Sequence, residues 1–195
     1  MVEALLAAGL GYLLGSIPFG LILTRLSGGP DVRTIGSGNI GATNVLRTGN
    51  KALAAATLLF DALKAAGAGW IALALFGAPL HFVAAAAALF GHCYPVWLRF
   101  KGGKGVATFF GSLLGLLWPV GLVAAGTWLL VAFTTRFSSA AALCAAALAT
   151  IVTVMFFSWP AMAMVGFMTA LIVWRHRDNI ARLKAGTESK IGQKA

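Results

Sequence analysis

The chain has 195 residues, 59% of them hydrophobic and 10% charged, with a formal net charge of +10 at pH 7. A soluble domain cannot keep that much apolar surface dry, so composition excludes a soluble fold and selects a polytopic membrane protein. Nucleic acid is excluded as a partner, because no soluble basic domain is available to hold it.

A spanning helix needs about 20 apolar residues, and residues 5–24 are the first run to offer that. Neither a basic flank nor a small-residue cleavage site marks the run as a secretory signal, so it is expected to remain as a helix with Met1 outside. Residues 36–51 (GSGNIGATNVLRTGNK) follow. Ser37, Asn39, Thr43, Asn44 and Arg47 stand there among Gly36, Gly38, Gly41 and Gly49, more short hydrogen-bonding side chains than a loop needs. Such residues hold several oxygen atoms at once, and Arg47 suits bidentate phosphate contact. A solvated loop of Asx turns has the same composition.

Residues 53–76 form the second run and carry Asp61 and Lys64 three apart on one helix face. Inside a membrane such a pair either satisfies itself or lines a cavity. The third run, 80–98, has His81 at its outer end and His92 near the next loop, where it serves helix packing or function. That loop, RFKGGKG at 99–105, places Lys101 and Lys104 among glycines just before a helix start near Val106. Converging loop amides, a helix N-terminus and ammonium groups form a phosphate cradle. The Walker A spacing is absent, and a glycine turn with stop-transfer lysines is the plainer alternative.

Residues 106–135 are broken at Trp118 and Pro119, and the runs 140–157 and 161–174 follow, the second of them after Trp159 and Pro160. Read as four helices, they bring the total to about seven. Residues 106–118 span only about 20 Å as a helix, against an apolar core of about 30 Å, so that helix and its partner cross obliquely or re-enter together. Ser139 lies at the rim of the polar turn after Arg136. The tail, RHRDNIARLKAGTESK at 175–190, puts His176, Asn179 and Arg182 on one helical face and Ile180 and Leu183 on another, as a juxtamembrane amphipathic helix also does. Neighbouring cations favour a neutral His176, and Glu188 is expected to pair with a nearby Lys or Arg and fix the tail.

Orientation follows from charge. Of the 15 Lys and Arg, all but Lys64 fall in segments that the helix count puts on one face: Arg25, Arg33, Arg47, Lys51, Arg99, Lys101, Lys104, Arg136, Arg175, Arg177, Arg182, Lys184, Lys190 and Lys194. The connections around Gly77, Pro119 and Pro160 have none, so the basic face, with the C-terminus, is cytoplasmic. Topology and anionic lipid headgroups select such loops even without a site. Cys93 and Cys144 form no disulfide pattern.

The chain resembles the bacterial acyl-phosphate:glycerol-3-phosphate acyltransferases, the PlsY family. The resemblance rests on SIPFG at 16–20, GSGNIGATN at 36–44 with Arg47, GHCYPVWLRFKGGKGVAT at 91–108 and RHRDNIARLKAGTESK at 175–190, and it runs nearly end to end. It implies one polytopic, all-α integral membrane domain over residues 1–195, in the bacterial inner membrane, with its active site on the cytoplasmic face. The implied reaction moves the fatty acyl group of an acyl phosphate to the 1-hydroxyl of glycerol 3-phosphate, giving 1-acyl-glycerol 3-phosphate and phosphate, the first acylation of phospholipid synthesis. Carried over residue by residue, Lys101, Gly102, Gly103, Lys104 and Gly105 form the glycerol-phosphate loop, and Ser37, Arg47, His176 and Asn179 are further site residues. On this reading Ser37, Lys104, His176 and Asn179 are catalytic, while Asn39, Gly41, Thr43, Asn44 and Ser139 join Arg47 and the loop in holding phosphate. The implied partners are the two substrates and membrane lipid, with no cofactor, metal or obligate protein partner.

The chemistry agrees with the residues independently. An acyl phosphate is an activated mixed anhydride, so a site rich in Arg, Lys and amides suffices to bind both phosphates and stabilise the leaving charge. No Ser or Cys catalytic dyad stands out, and HxxxxD is absent. The hydroxyl proton goes to His176 or to the substrate's own phosphate, and both routes stay open. The acyl chain is expected between helices that open to the inner leaflet. A phosphate transporter or channel is the alternative; it predicts functional residues on both faces or an inverted repeat. A metal-dependent phosphotransferase fits less well, since the five acidic residues form no aspartate cluster for Mg.

Overall fold

A computed structural model describes residues 1–193, so Lys194 lies outside the described residues. The chain is all-helical: α1 (Val2–Gly15), α2 (Phe19–Leu26), α3 (Ala42–Val45), α4 (Lys51–Phe76), α5 (Leu80–Cys93), α6 (Val106–Leu116), α7 (Trp118–Thr135), α8 (Ser138–Phe156), α9 (Trp159–Arg175) and α10 (Arg177–Lys184). Among the described residues five segments are long and apolar enough to cross a membrane, namely Val2–Leu26, Lys51–Phe76, Leu80–Leu98, Trp118–Thr135 and Ser138–Phe156, and α6 and α9 are shorter apolar helices.

Proline sets most of the helix boundaries. The run 5–24 reads as one helix, yet the structure splits it at Ser16–Pro18 into α1 and α2. Pro18 has no N–H to give and biases Ile17 away from helical dihedrals. The run 80–98 likewise stops at Cys93 ahead of Pro95, with a 3-10 turn at Val96–Leu98. The break expected at Trp118 and Pro119 separates α6 from α7. Pro160 falls inside the first turn of α9, where a missing N–H costs nothing, so that helix begins at Trp159 rather than after the proline.

Small residues set the helix packing. Ala7, Gly11 and Gly15 recur every four residues as the buried stripe of α1. They face Ala84 and Ala88 of α5 so closely that a Cβ on Gly11 or Gly15 would overlap a backbone carbonyl. In lipid, burying apolar surface between helices gains little, so backbone approach of this kind supplies the association. Gly111 of α6 meets the Ala62 backbone of α4 in the same way and Gly69 meets Leu116, whereas Gly67 faces nothing. The larger side chains Leu89, Phe109, Leu113, Met168 and Ile172 fill the core between α5, α6 and α9.

Gly15→Val therefore forces α1 away from α5. It should cost about 1–3 kcal/mol and lower the melting temperature in detergent, while Gly9→Ala on the same helix, with nothing within 4 Å of the added carbon, should leave it unchanged.

Candidate active site

The loop before α4 is organised by one side chain. Asn44, 3% exposed, donates from Nδ2 to the carbonyls of Val32 (2.7 Å), Asn39 (2.8 Å) and Ile35 (3.2 Å). Its Oδ1 accepts from the Ser37 amide at 3.1 Å and the Ser37 hydroxyl at 3.4 Å. Val32, Ile40, Val45 and Ala54 form the apolar floor beneath. Asn39 accepts from the Gly41 amide at 2.9 Å, an Asx turn. Asn39 and Asn44 thus shape the loop with the groups that were expected to meet a ligand. Ser37, Thr43 and Arg47 stay exposed, and Arg47 lies over Gly36, donating from Nη2 to Ser189 Oγ at 3.0 Å.

The glycine loop caps the end of α5. The Gly102 amide donates to the Cys93 carbonyl at 3.1 Å and the Gly103 amide to the His92 carbonyl at 3.0 Å. Arg175 then takes the two loop carbonyls, Nε to Gly103 at 3.0 Å and Nη2 to Gly102 at 2.9 Å, with its guanidinium 5.1 Å from the Tyr94 ring centroid. Gly102 and Gly103 were expected to offer amides to phosphate, and the carbonyls at the helix end hold those amides instead. The amides of Lys104, Gly105 and the first turn of α6 remain, that helix beginning after Gly105 at φ +82° with no side-chain cap. Lys101 is exposed, whereas Lys104 turns inward.

Lys104 Nζ donates to Asn179 Oδ1. Asn179 Nδ2 donates to Glu188 Oε1 at 2.6 Å, an oxygen that also accepts from Ser139 Oγ at 2.6 Å, and Arg182 Nε donates to Glu188 Oε2 at 2.7 Å. The adjacent Ser189 receives Arg47. Backbone pairing of Ile191 with Arg136, 2.7 Å from the Ile191 amide to the Arg136 carbonyl, fixes the tail against the α7–α8 turn. The three polar stretches and that turn thus meet in one place, with Glu188 paired as expected and more enclosed than a tail residue suggests.

Electrostatics sharpen the roles. Burial raises the tendency of Glu188 to take a proton, yet donation from Ser139, Asn179 and Arg182 outweighs it and holds the carboxyl below its usual range. Burial, then Arg182, pushes Lys104 down to about 8, with Glu188 partly opposing. His176 is buried; burial, with a smaller contribution from Lys104, takes it down to about 4 against the opposing bond to Ile172. It is neutral at pH 7, and burial rather than neighbouring cations is the main reason. Its Nδ1 donates to the Ile172 carbonyl at 2.8 Å, which leaves the Nε2 lone pair as an acceptor.

Asp61 and Lys64 satisfy each other at 2.6 Å, and His92 joins them 3.0 Å from Lys64. His81 stacks on Phe82 with ring centroids 3.9 Å apart, and both cysteines are free. Sequence reasoning gave Arg175, Arg182 and Ser189 no individual part in the site. The available signal was helical spacing: Arg175, Asn179 and Arg182 share a face.

Cations, helix amides and one neutral imidazole around a common place suit a phosphate-bearing ligand. Residues 5–186 match the family model described as Glycerol-3-phosphate acyltransferase. The chain is 59% identical over 186 residues to a glycerol-3-phosphate acyltransferase of Rhodopseudomonas palustris (strain BisB5), covering 95% of this chain and 94% of that protein. With the Nitrobacter winogradskyi protein of the same name the figures are 56% identity over 194 residues, 99% of this chain and 98% of that one. Two crystal structures of PlsY, an integral membrane glycerol 3-phosphate acyltransferase, also match. The glycerol 3-phosphate form has a TM-score of 0.90 at 38% identity, covering 97% of this chain and 96% of that one. The lysophosphatidic acid form has a TM-score of 0.89 at 37% identity, covering 97% and 95%. These matches leave the transporter alternative without support, and the chain belongs to the glycerol-3-phosphate acyltransferase family.

Proposed function

We propose that the chain takes its acyl group from an acyl phosphate and passes it to the 1-hydroxyl of glycerol 3-phosphate, on the cytoplasmic face of a bacterial inner membrane. The hydroxyl oxygen attacks the acyl carbon, the bond from that carbon to the bridging oxygen breaks, and inorganic phosphate leaves with the electron pair. The observation that carries this reading is the Lys104–Asn179 contact, which joins the glycine loop to the tail beside Arg182 and a neutral His176. The glycerol 3-phosphate and lysophosphatidic acid forms of the PlsY neighbour agree with a phosphate acceptor and a monoacyl product.

Lys104, Arg47 and the first amides of α6 hold phosphate, with Ser37 and Asn179 as further donors. Thr43, Gly41 and Lys101 line the approach. His176 Nε2 accepts a hydrogen bond from the attacking hydroxyl and so orients it. With a pKa of about 4, His176 is a weaker proton acceptor than a phosphate monoester dianion, whose second pKa is about 6. The proton therefore ends on a phosphate oxygen. All seven apolar helical segments cross, with the N-terminus outside. This topology is supported by the meeting of the basic segments, while the connections around Gly77, Leu117 and Phe157 contain no Lys or Arg. Residues 1–195 act as one domain that needs neither a cofactor nor a protein partner.

Purified protein supplied with palmitoyl phosphate and glycerol 3-phosphate should release phosphate and lysophosphatidate in equal amounts, and none with acyl-CoA; turnover from acyl-CoA alone would reject the donor assignment. Lys104→Ala, Arg47→Ala and His176→Ala should each lower kcat/KM by about 100-fold or more with the fold intact. Wild-type activity in all three, in an assay of folded protein, would reject the site.

The pH profile separates the roles. Lys104 is cationic below about 8, so kcat/KM should fall as pH rises through that value. A bound phosphate raises the lysine pKa, which moves the kcat limb upward, and Lys104→Arg should remove it. His176 is already neutral above about 4, so a limb near about 6 belongs to the second ionisation of the substrate phosphate and should persist in the residual activity of His176→Asn; its loss there would defeat the role of His176 as a neutral acceptor.

A further inference from the structure

One buried ionisable cluster takes no part in the proposed chemistry, and it borders the glycine loop. Lys64 Nζ lies 2.6 Å from Asp61 Oδ1, 2.7 Å from the Ile17 carbonyl and 3.0 Å from His92 Nδ1. The Asp61 and Lys64 side chains are each 2% exposed. An ammonium has three protons and no lone pair, so Lys64 uses every donor on these three groups and makes His92 Nδ1 an acceptor; Asp61 Oδ1, 3.6 Å from Nδ1, is too far to take a proton from it. The ring proton then sits on Nε2. That atom faces Gly103, where an added Cβ would overlap it. The His92 carbonyl meanwhile accepts the Gly103 amide at 3.0 Å. A pair that served only α4 would need no histidine from another helix.

We propose that Asp61, Lys64 and His92 form a positioning network for phosphate binding. Asp61 and the Ile17 carbonyl fix Lys64, Lys64 fixes the tautomer and tilt of the His92 ring, and the ring sets where Gly103 stands. Lys104 and the first turn of α6 follow Gly103 directly in the chain. The three side chains are positioning residues that act through the loop. The network rests on the reading that glycerol 3-phosphate binds at that loop.

The wild-type protein supplies the first test. With 15N-labelled histidine only three residues give signals, His81, His92 and His176. His92 should appear as the Nε2–H tautomer, and saturating glycerol 3-phosphate should shift its Nε2 resonance. An Nδ1–H tautomer, or a resonance that ignores glycerol 3-phosphate in protein that turns it over, overturns the proposal. The second test is His92→Asn, which keeps an acceptor for Lys64 and removes the ring edge at Gly103. KM for glycerol 3-phosphate should rise about tenfold or more, as a displaced binding group requires, with KM for acyl phosphate unchanged and partial recovery in His92→Gln. A merely structural histidine would lower kcat at constant KM for both substrates, and that result also overturns the proposal. If His92→Asn does not fold, the wild-type spectrum decides. Failure of the wild type to acylate glycerol 3-phosphate would defeat the acyl-phosphate reading instead, while the tautomer is still read from the same sample.

Discussion

Cations gathered in one place repel one another, and this site depends on a single carboxylate standing among them. At an effective dielectric near 20, two like charges about 4 Å apart cost about 4 kcal/mol, more than an exposed ion pair returns. Glu188 meets that demand because three donors, on Ser139, Asn179 and Arg182, hold its two oxygens. Lys104 reaches it through Asn179, and Arg47 is tied to the adjacent Ser189. Two neighbouring tail residues thereby join the loop before α4, the glycine loop and α10. Without a fixed anion, the basic stretches would not share a site.

The membrane adds a second constraint, that backbone groups freed at helix breaks must find partners. The break at Ser16–Pro18 exposes two carbonyls, and both are used: Ile17 accepts from Lys64 and Ser16 from the Trp97 indole at 2.7 Å. At the end of α5 the same demand falls on the carbonyls of His92 and Cys93, which the amides of Gly103 and Gly102 satisfy. The glycine loop is therefore a helix cap as well as a proposed binding element. Its backbone conformation is set by the helix it closes, and Arg175 locks it by taking the carbonyls of the same two glycines.

These two constraints explain what was legible in sequence. Helix positions were, because apolar runs and prolines act locally: Trp118–Pro119 marks a boundary by its own chemistry. SIPFG was legible as a motif but not as a break, since a proline inside an apolar run bends some helices and ends others, and here the Lys64 and Trp97 donors stabilise the ended form. Asn44 looked like a ligand holder because its donors and acceptors were counted without their partners, which come from residues up to twelve positions away in a loop whose path no periodicity encodes. Gly102 and Gly103 looked like a nest for the same reason. The local rule for glycine amides is sound, yet helix-end carbonyls competed for them and won. Glu188 was assigned to the tail correctly and Ser139 to the rim of the turn after Arg136, but their pairing across forty-nine residues comes only from the packing of α8 against α10.

The energetics of Lys104 connect this architecture to catalysis. A lysine whose pKa is lowered to about 8 by burial, and then by Arg182, is a cation held at higher free energy than in water. Fully stabilising it with a second carboxylate would make a structural ion pair and leave little attraction for a ligand. Glu188 instead offsets the repulsion in part and is itself occupied by neutral donors and Arg182. On the proposed reading a dianionic phosphate relieves the residual positive potential, so binding draws on a cost that the fold already carries. In the same proposal the reacting hydroxyl meets a histidine that carries no charge to compete for that phosphate. The proposed division is chemical: cations hold the anions, and the neutral imidazole directs the nucleophile.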